Sequence, residues 1–236
     1  MLPPMNDGHT VEQWLESQIG SNAWGKFQEN TRTDIVTAVS CYQSFSSTNK
    51  LVDYAASIVP LMKALEHELR NRFYDAYVAF LKENYSPEEY ADSILPDLFS
   101  EDYKKATQLK DSVLEYNNGR LKFVDTGTVE FFPLGTFVRL VKKCDPKGNR
   151  NNLQIDPPVF EFCKTVLFPG ISVSNTKIKI WLSDIILGVE AQRGLRNNSA
   201  HGGIVQNKLD AEKAIRDIVI VEKLLGMIIC PTFLKL

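Results

Sequence analysis

From Ala55 onward the apolar residues Val59, Met62, Leu69, Phe73, Ala76 and Phe80 return at helical steps, and this stripe constrains the fold more than any other feature of the chain. Such a pattern lies along one face of a long helix, and that face must be covered by other apolar faces. Pro60 has no N–H to donate, so it either kinks this helix or occupies its first turn. A second stripe runs through Ala211, Ile215, Ile218, Val221, Leu225 and Ile228, with Asp210 near its start and Pro231 just beyond its end. Between Lys177 and Arg193 the segment KIKIWLSDIILGVEAQR carries Ile180, Ile185 and Val189 and predicts a third helix. TRTDIVTAVSCYQSF and EDYKKATQLKDSVLEY read as shorter helices. The fold class expected is therefore all-α, a helical bundle.

The irregular part runs from Tyr116 to about Pro158. Asn117, Asn118 and Gly119 signal a turn, RLKFV, DTG and TVEFF suggest a small β-hairpin, and FPLGTFVRLVKKC is helical after Pro133. CDPKGNRNNLQIDPP follows as a polar loop. With no composition shift, 236 residues of which 44% are hydrophobic are read as one domain over 1–236. It comprises a helical extension at 1–50, a first helical half at 51–116, an insertion at 117–158 and a second half at 159–236.

Charge and motifs exclude several classes. A net charge of −2 makes non-specific coating of nucleic acid unfavourable, so any RNA contact needs a local patch. The start MLPPMNDGHT lacks the pattern of a secretory leader, and the run IVIVEKLLGMII is broken by Glu222 and Lys223. A soluble cytoplasmic protein without membrane contact is expected. Cys41, Cys144, Cys163 and Cys230 are widely spaced with no CxxC or Cys/His pairing, so reduced thiols rather than zinc or disulfides are expected. There is no Walker loop, GxSxG elbow or HExxH, and neither a metal nor another cofactor is implied.

The stretch LRNNSAHGG, Leu195 to Gly203, holds one of only three histidines in the chain. One reading is a capped helix end, in which glycine supplies left-handed backbone and a cationic histidine suits the helix C-terminus. The other is a site for RNA. RNA carries its own nucleophile: a base takes the 2′-hydroxyl proton, the oxygen attacks the adjacent phosphate, and an acid protonates the departing 5′-oxygen. His201 suits either proton role, with an unperturbed pKa of about 6.5. Arg196 can hold the non-bridging oxygens through charge-assisted bonds, and Asn197 can orient a phosphate oxygen or the imidazole. On an unbroken helix Arg196 and His201 diverge by roughly 140° at ~100° per residue. One site then needs a break, which Gly194, Gly202 and Gly203 permit. Arg193, Asn197 and His201 share a face at steps of four, which makes Arg193 a second candidate cation.

Arg196, Asn197 and His201 fit the pattern RNxxxH, and the chain here resembles the HEPN superfamily. The layout around the motif is similar too: a long early helix containing ALEHELRNRF (Ala64 to Phe73), a penultimate helix ending VEAQRGLRN, then AHGG and a closing amphipathic helix. PLGTFVRLV (Pro133 to Val141) resembles a segment of some prokaryotic members. The likeness covers most of residues 51–230 in layout and a short motif in specific residues; residues 1–50 lie outside it. It implies an α-helical bundle of HEPN type that dimerises. In catalytic members it implies metal-independent RNA cleavage in phage defence, toxin or stress systems, with an activating or neutralising protein or nucleotide as a further partner. The alternative is a non-catalytic HEPN-like module for dimerisation or for binding nucleotides or proteins.

Other candidates are weaker. Glu66 and Arg70, four apart, read either as a surface ion pair or as support for the site. His67 reads as a half-exposed helical histidine. Tyr74 and Tyr77 could stack on bases, though helical spacing favours the core. Arg139, Lys142, Lys143, Lys147 and Arg150 face only Asp145 in that stretch and form the best local basic patch, a solvated face or an RNA track.

Overall fold

A computed structural model describes residues 8–47, 52–94, 113–128, 134–141, 155–200, 205–220 and 224–229. These are mostly helical, with a small antiparallel two-stranded sheet. They cluster into two compact units, one built from 1–69 with 184–236 and the other from 70–183.

In the first unit, α1 (Val11–Ile19) opens with a capping box between Thr10 and Gln13, and α2 (Ser21–Trp24) follows it. Then α3 (Glu29–Ser46) runs along α4 (Ala55–Leu69). Ile35, Ala38, Val39 and Tyr42 of α3 are buried, as are Ile58, Leu61, Met62 and Leu65 of α4, and the two helices pack on one another. Each of the buried Ile, Val, Leu and Met side chains contributes roughly 1.5–3 kcal/mol of burial. The first turn of α3 lacks a side-chain cap of its own. The fully buried carboxylate of Glu68 accepts the Gln28 N–H at 3.3 Å, placing negative charge at the positive helix end. Pro60 sits inside α4 rather than in its first turn.

A π turn, Arg70–Tyr74, belongs to the second unit and leads into α5 (Asp75–Asn84) and α6 (Pro87–Ile94). The core here is aromatic: Phe73 lies 5.1 Å from Phe137 and 5.2 Å from Phe162, and Tyr77 lies 5.2 Å from Phe162. Tyr74 and Tyr77 are both buried. The expected hairpin exists with a different pairing. Strand β1 (Leu114–Asn117) pairs with β2 (Arg120–Phe123) around Asn118 and Gly119, both at positive φ. An Asn-Gly turn needs left-handed backbone at both positions and so places the strands immediately beside it. Leu114 to Tyr116, expected at the end of a helix, are therefore strand, while residues 101–112 and TVEFF beyond Thr128 lie outside the described residues. After Thr126–Thr128 come α7 (Leu134–Val141), as expected after Pro133, and α8 (Pro157–Phe162) with its π turn Cys163–Leu167.

Helix α9 (Asn175–Ala200) is the longest among the described residues. α10 (Lys208–Ile215), the π turn Arg216–Ile220 and α11 (Leu224–Ile229) then close the first unit, with α10 on α3 and α4 and α11 on α4. The expected closing stripe is present through Ala211, Ile215, Ile218, Leu225 and Ile228, all buried; Val221 lies outside the described residues.

Candidate functional site

Ser174 immediately precedes helix α9, and its Oγ accepts the Lys177 N–H at 3.3 Å. Its buried positions include Ile178, Trp181, Leu182, Ile185, Ile186 and Val189. Ile180, expected in that face, is 57% exposed. It lies about 200° from both Ile178 and Leu182 at two residues' separation, so its apolar character is no guide to its side. Gly194, a position where the helix could have broken, is helical and continuous with the turns on either side. A Cβ there would meet nothing within 4 Å.

The helix carries the motif on its last turns. Arg193 and Asn197 are exposed and, at four residues' separation, lie within about 40° of one another on the same face. Arg196 is helical, three positions beyond Arg193; its side chain, like His201, Gly202 and Gly203, lies outside the described residues. Ser199 is half-buried and its Oγ has no hydrogen-bond partner. A helix C-terminus carries partial negative charge, so a phosphate can be held there only by cations that outweigh the dipole. Arg193 and Arg196 are the residues of that kind on the last turns.

Beyond the motif the chain is held by groups that no periodicity reveals. The Gln206 N–H donates to Asp53 Oδ1 at 3.0 Å, the same oxygen that accepts the Ala55 N–H at 3.0 Å, and the Tyr54 N–H donates to the Gln206 carbonyl at 3.0 Å. Gln206 is 2% exposed. Tyr54 packs edge-on against Phe45 at 5.7 Å and lies 6.1 Å from Tyr42. The Tyr42 hydroxyl donates to Glu212 Oε1 at 2.5 Å, and Lys208 Nζ lies 6.0 Å from the Tyr42 ring centre. Burial, with the Glu212 bond, pushes the Tyr42 hydroxyl up to about 12. The one sequence signal available was Asp53 itself, an acceptor two residues ahead of an apolar-periodic helix. Gln192, buried on α9 with its Oε1 unpartnered, had no signal beyond its spacing.

The supporting candidates are placed individually. Glu66 is half-buried on α4. Arg70, in the π turn, donates to the Thr126 carbonyl at 2.9 Å and lies 3.6 Å from Asp75. Burial raises the Asp75 carboxyl and Arg70 opposes that shift. His67 sits 3.7 Å from Asp34. Of the basic stretch, Arg139 is on α7 with its side chain outside the described residues, and Lys142, Lys143, Lys147 and Arg150 lie outside them altogether. Cys163 is buried, which pushes its thiol up to about 12, and Cys41 is half-buried. Among the described residues, no group of three or more His, Cys, Asp or Glu is placed to hold a metal. Nor is any helix among them long and apolar enough to cross a membrane.

No family model, curated protein or solved structure matches this chain.

Proposed function

We propose that the chain is a metal-independent endoribonuclease of HEPN type acting as a homodimer in the cytoplasm, in the manner of a defence or toxin effector. The observation that supports this reading is the exposure of Arg193 and Asn197 at the end of α9, in the helix that leads to His201 in sequence. Arg193 and Asn197 stand exposed on the last turns of a long helix, with Arg196 between them and His201 next after Ala200. In this reading the arginines hold the scissile phosphate and Asn197 orients it. One His201 takes the 2′-hydroxyl proton; the O2′–P bond forms as the P–O5′ bond breaks, and a second acid returns a proton to the 5′-oxygen. The products are a 2′,3′-cyclic phosphate and a 5′-hydroxyl, with no metal needed.

Incubation of the purified chain with total RNA in EDTA tests this. Cleavage with those termini is expected. His201→Ala should lower the rate by about 10²–10⁴-fold and Arg196→Ala by about 10²–10³-fold, with melting temperatures nearly unchanged. DNA and 2′-O-methylated RNA should resist. Strict magnesium dependence or 5′-phosphate products would overturn the mechanism.

A non-catalytic interaction module is the second reading, favoured by a different observation. Leu187, Ala191 and Gly194 are exposed along one side of α9, a strip of apolar and small residues suited to helix contact. An intact dimer that leaves RNA untouched would select it.

A further inference from the structure

We infer that Asn118 is a modification site: its side chain reacts with the following backbone nitrogen, loses ammonia, and leaves an aspartyl or isoaspartyl residue at the tip of the β1–β2 hairpin. Asn118-Gly119 is the one Asn-Gly pair in the chain. The two residues form the whole loop of the hairpin, since Asn117 pairs with Arg120. Both are exposed, at φ of 52° and 74°. Gly119 has no side chain to shield its nitrogen, and a Cβ there would meet nothing within 4 Å, so the attack meets no obstacle. Ring closure swings the Asn118–Gly119 peptide plane toward the side chain, so the turn opens as it reacts. That opening costs little here. Among the described residues the sheet is two strands of four residues each, and a two-stranded hairpin is marginal in water. Asn198-Ser199, another asparagine with a small neighbour, lies inside α9, where helical hydrogen bonding holds the backbone.

The reaction needs only water. The Gly119 nitrogen bonds to Asn118 Cγ as the Cγ–Nδ2 bond breaks, and the proton from that nitrogen leaves with ammonia. Water then adds to one of the two carbonyls of the five-membered imide. Cleavage at Cγ restores the ordinary linkage with an aspartate side chain. Cleavage at the main-chain carbonyl leaves the chain running through Cβ, with one extra backbone atom and a free α-carboxylate. The two products differ in what they do to the fold. Aspartate tolerates left-handed backbone and keeps the register from Leu114↔Phe123 to Asn117↔Arg120. An extra backbone atom in a two-residue loop does not fit that register, because loop length fixes hairpin pairing. The isoaspartyl form therefore loosens β2, whose Phe123 ring lies 5.7 Å from Tyr90 and which packs against α5 and α6.

The test ages the full chain in mildly alkaline buffer, natively folded and in urea, and follows every asparagine-containing peptide by mass. A purified isoaspartyl methyltransferase marks the β-linked product. In the native chain the peptide holding Asn118 should be the first to exchange NH2 for OH, with both products present. The intact protein, starting from a net charge of −2, should shift to later elution on anion exchange. Amide exchange across Leu114–Phe123 should be faster in the isolated isoaspartyl form. It should be unchanged in freshly made Asn118→Asp, which carries the charge without the extra backbone atom. Modification of that peptide in urea alone, or later than at Asn198 in the native chain, would overturn the site. An isoaspartyl form whose hairpin exchanges no faster than that of Asn118→Asp would overturn the loss of register.

Discussion

At the scale of single residues, the informative groups are polar atoms held inside apolar surroundings, because each must find a partner or cost about 1–3 kcal/mol. Tyr42 is the clearest case. It is 8% exposed, and its hydroxyl reaches a carboxylate oxygen of Glu212 across 170 positions of sequence. Tyr42→Phe keeps the ring packing and removes only the donor, so a loss of about 1–3 kcal/mol at neutral pH is expected in urea unfolding. The pH dependence has a definite sign. A hydroxyl raised from 10 to about 12 on folding binds its proton more tightly in the native state. Its contribution is therefore complete below pH 10 and is lost as pH rises from 10 through 12. Tyr77, Tyr85 and Tyr90 are raised as well, so the wild type should lose stability steeply in that window. Tyr42→Phe should lose less across the same interval, and it is the difference between the two curves that belongs to Tyr42. Parallel curves would remove the assignment.

At the scale of elements, two glycines of α9 make opposite predictions from the same propensity term. Glycine inside a helix costs roughly 0.5–1 kcal/mol relative to alanine. At Gly194 a Cβ would meet nothing within 4 Å, so Gly194→Ala should stabilise the isolated chain by up to that amount. At Gly188 a Cβ would come to 2.8 and 3.2 Å from the two methyls of Leu224, itself 3% exposed. Overpacking of about 1–3 kcal/mol then outweighs the propensity gain, and Gly188→Ala should melt lower. The helices of the closing half were legible because their stripes persist over several turns. What the period could not show were its interruptions. The π turns at Arg70–Tyr74 and Arg216–Ile220 each insert a residue into the register. The stripe through Phe73 thus continues across such an insertion, and Tyr74 and Tyr77, which helical spacing already favoured for the core, are buried. The hairpin was legible as a type but displaced, since the Asn118-Gly119 turn outranks the apolar run that follows it. The site was legible only where residue chemistry is unusual, as in RNNSAH. Gln206 acts through its backbone N–H and carbonyl, which leave no pattern in side-chain type, while Asp53 accepts through its side chain and left only the weak signal of an acceptor ahead of α4.

At the scale of the whole molecule, the proposed chemistry asks for two proton carriers, and RNNSAH supplies one per chain. His67 is occupied near Asp34 on the α3 and α4 surface, and His9 precedes α1. An isologous contact brings a surface residue close to its own symmetry copy, so a two-fold axis near the end of α9 would place two His201 and two Arg196 about one phosphate. With one imidazole neutral and the other protonated, activity should peak near pH 6–7 in a bell-shaped profile. The exposed strip of Leu187, Ala191 and Gly194 leads to that end of the helix, and small residues allow close backbone approach. Gly194→Leu places a large side chain where the isolated chain has open space, so it should leave the melting temperature within a few degrees. The same side chain would hold two α9 helices apart. Sedimentation should show it monomeric at concentrations where wild type is dimeric, with cleavage per chain reduced in parallel. Dilution of wild type through its dissociation range should lose activity along the same curve. A monomer, reached by either route, that retains full activity per chain would remove the composite site.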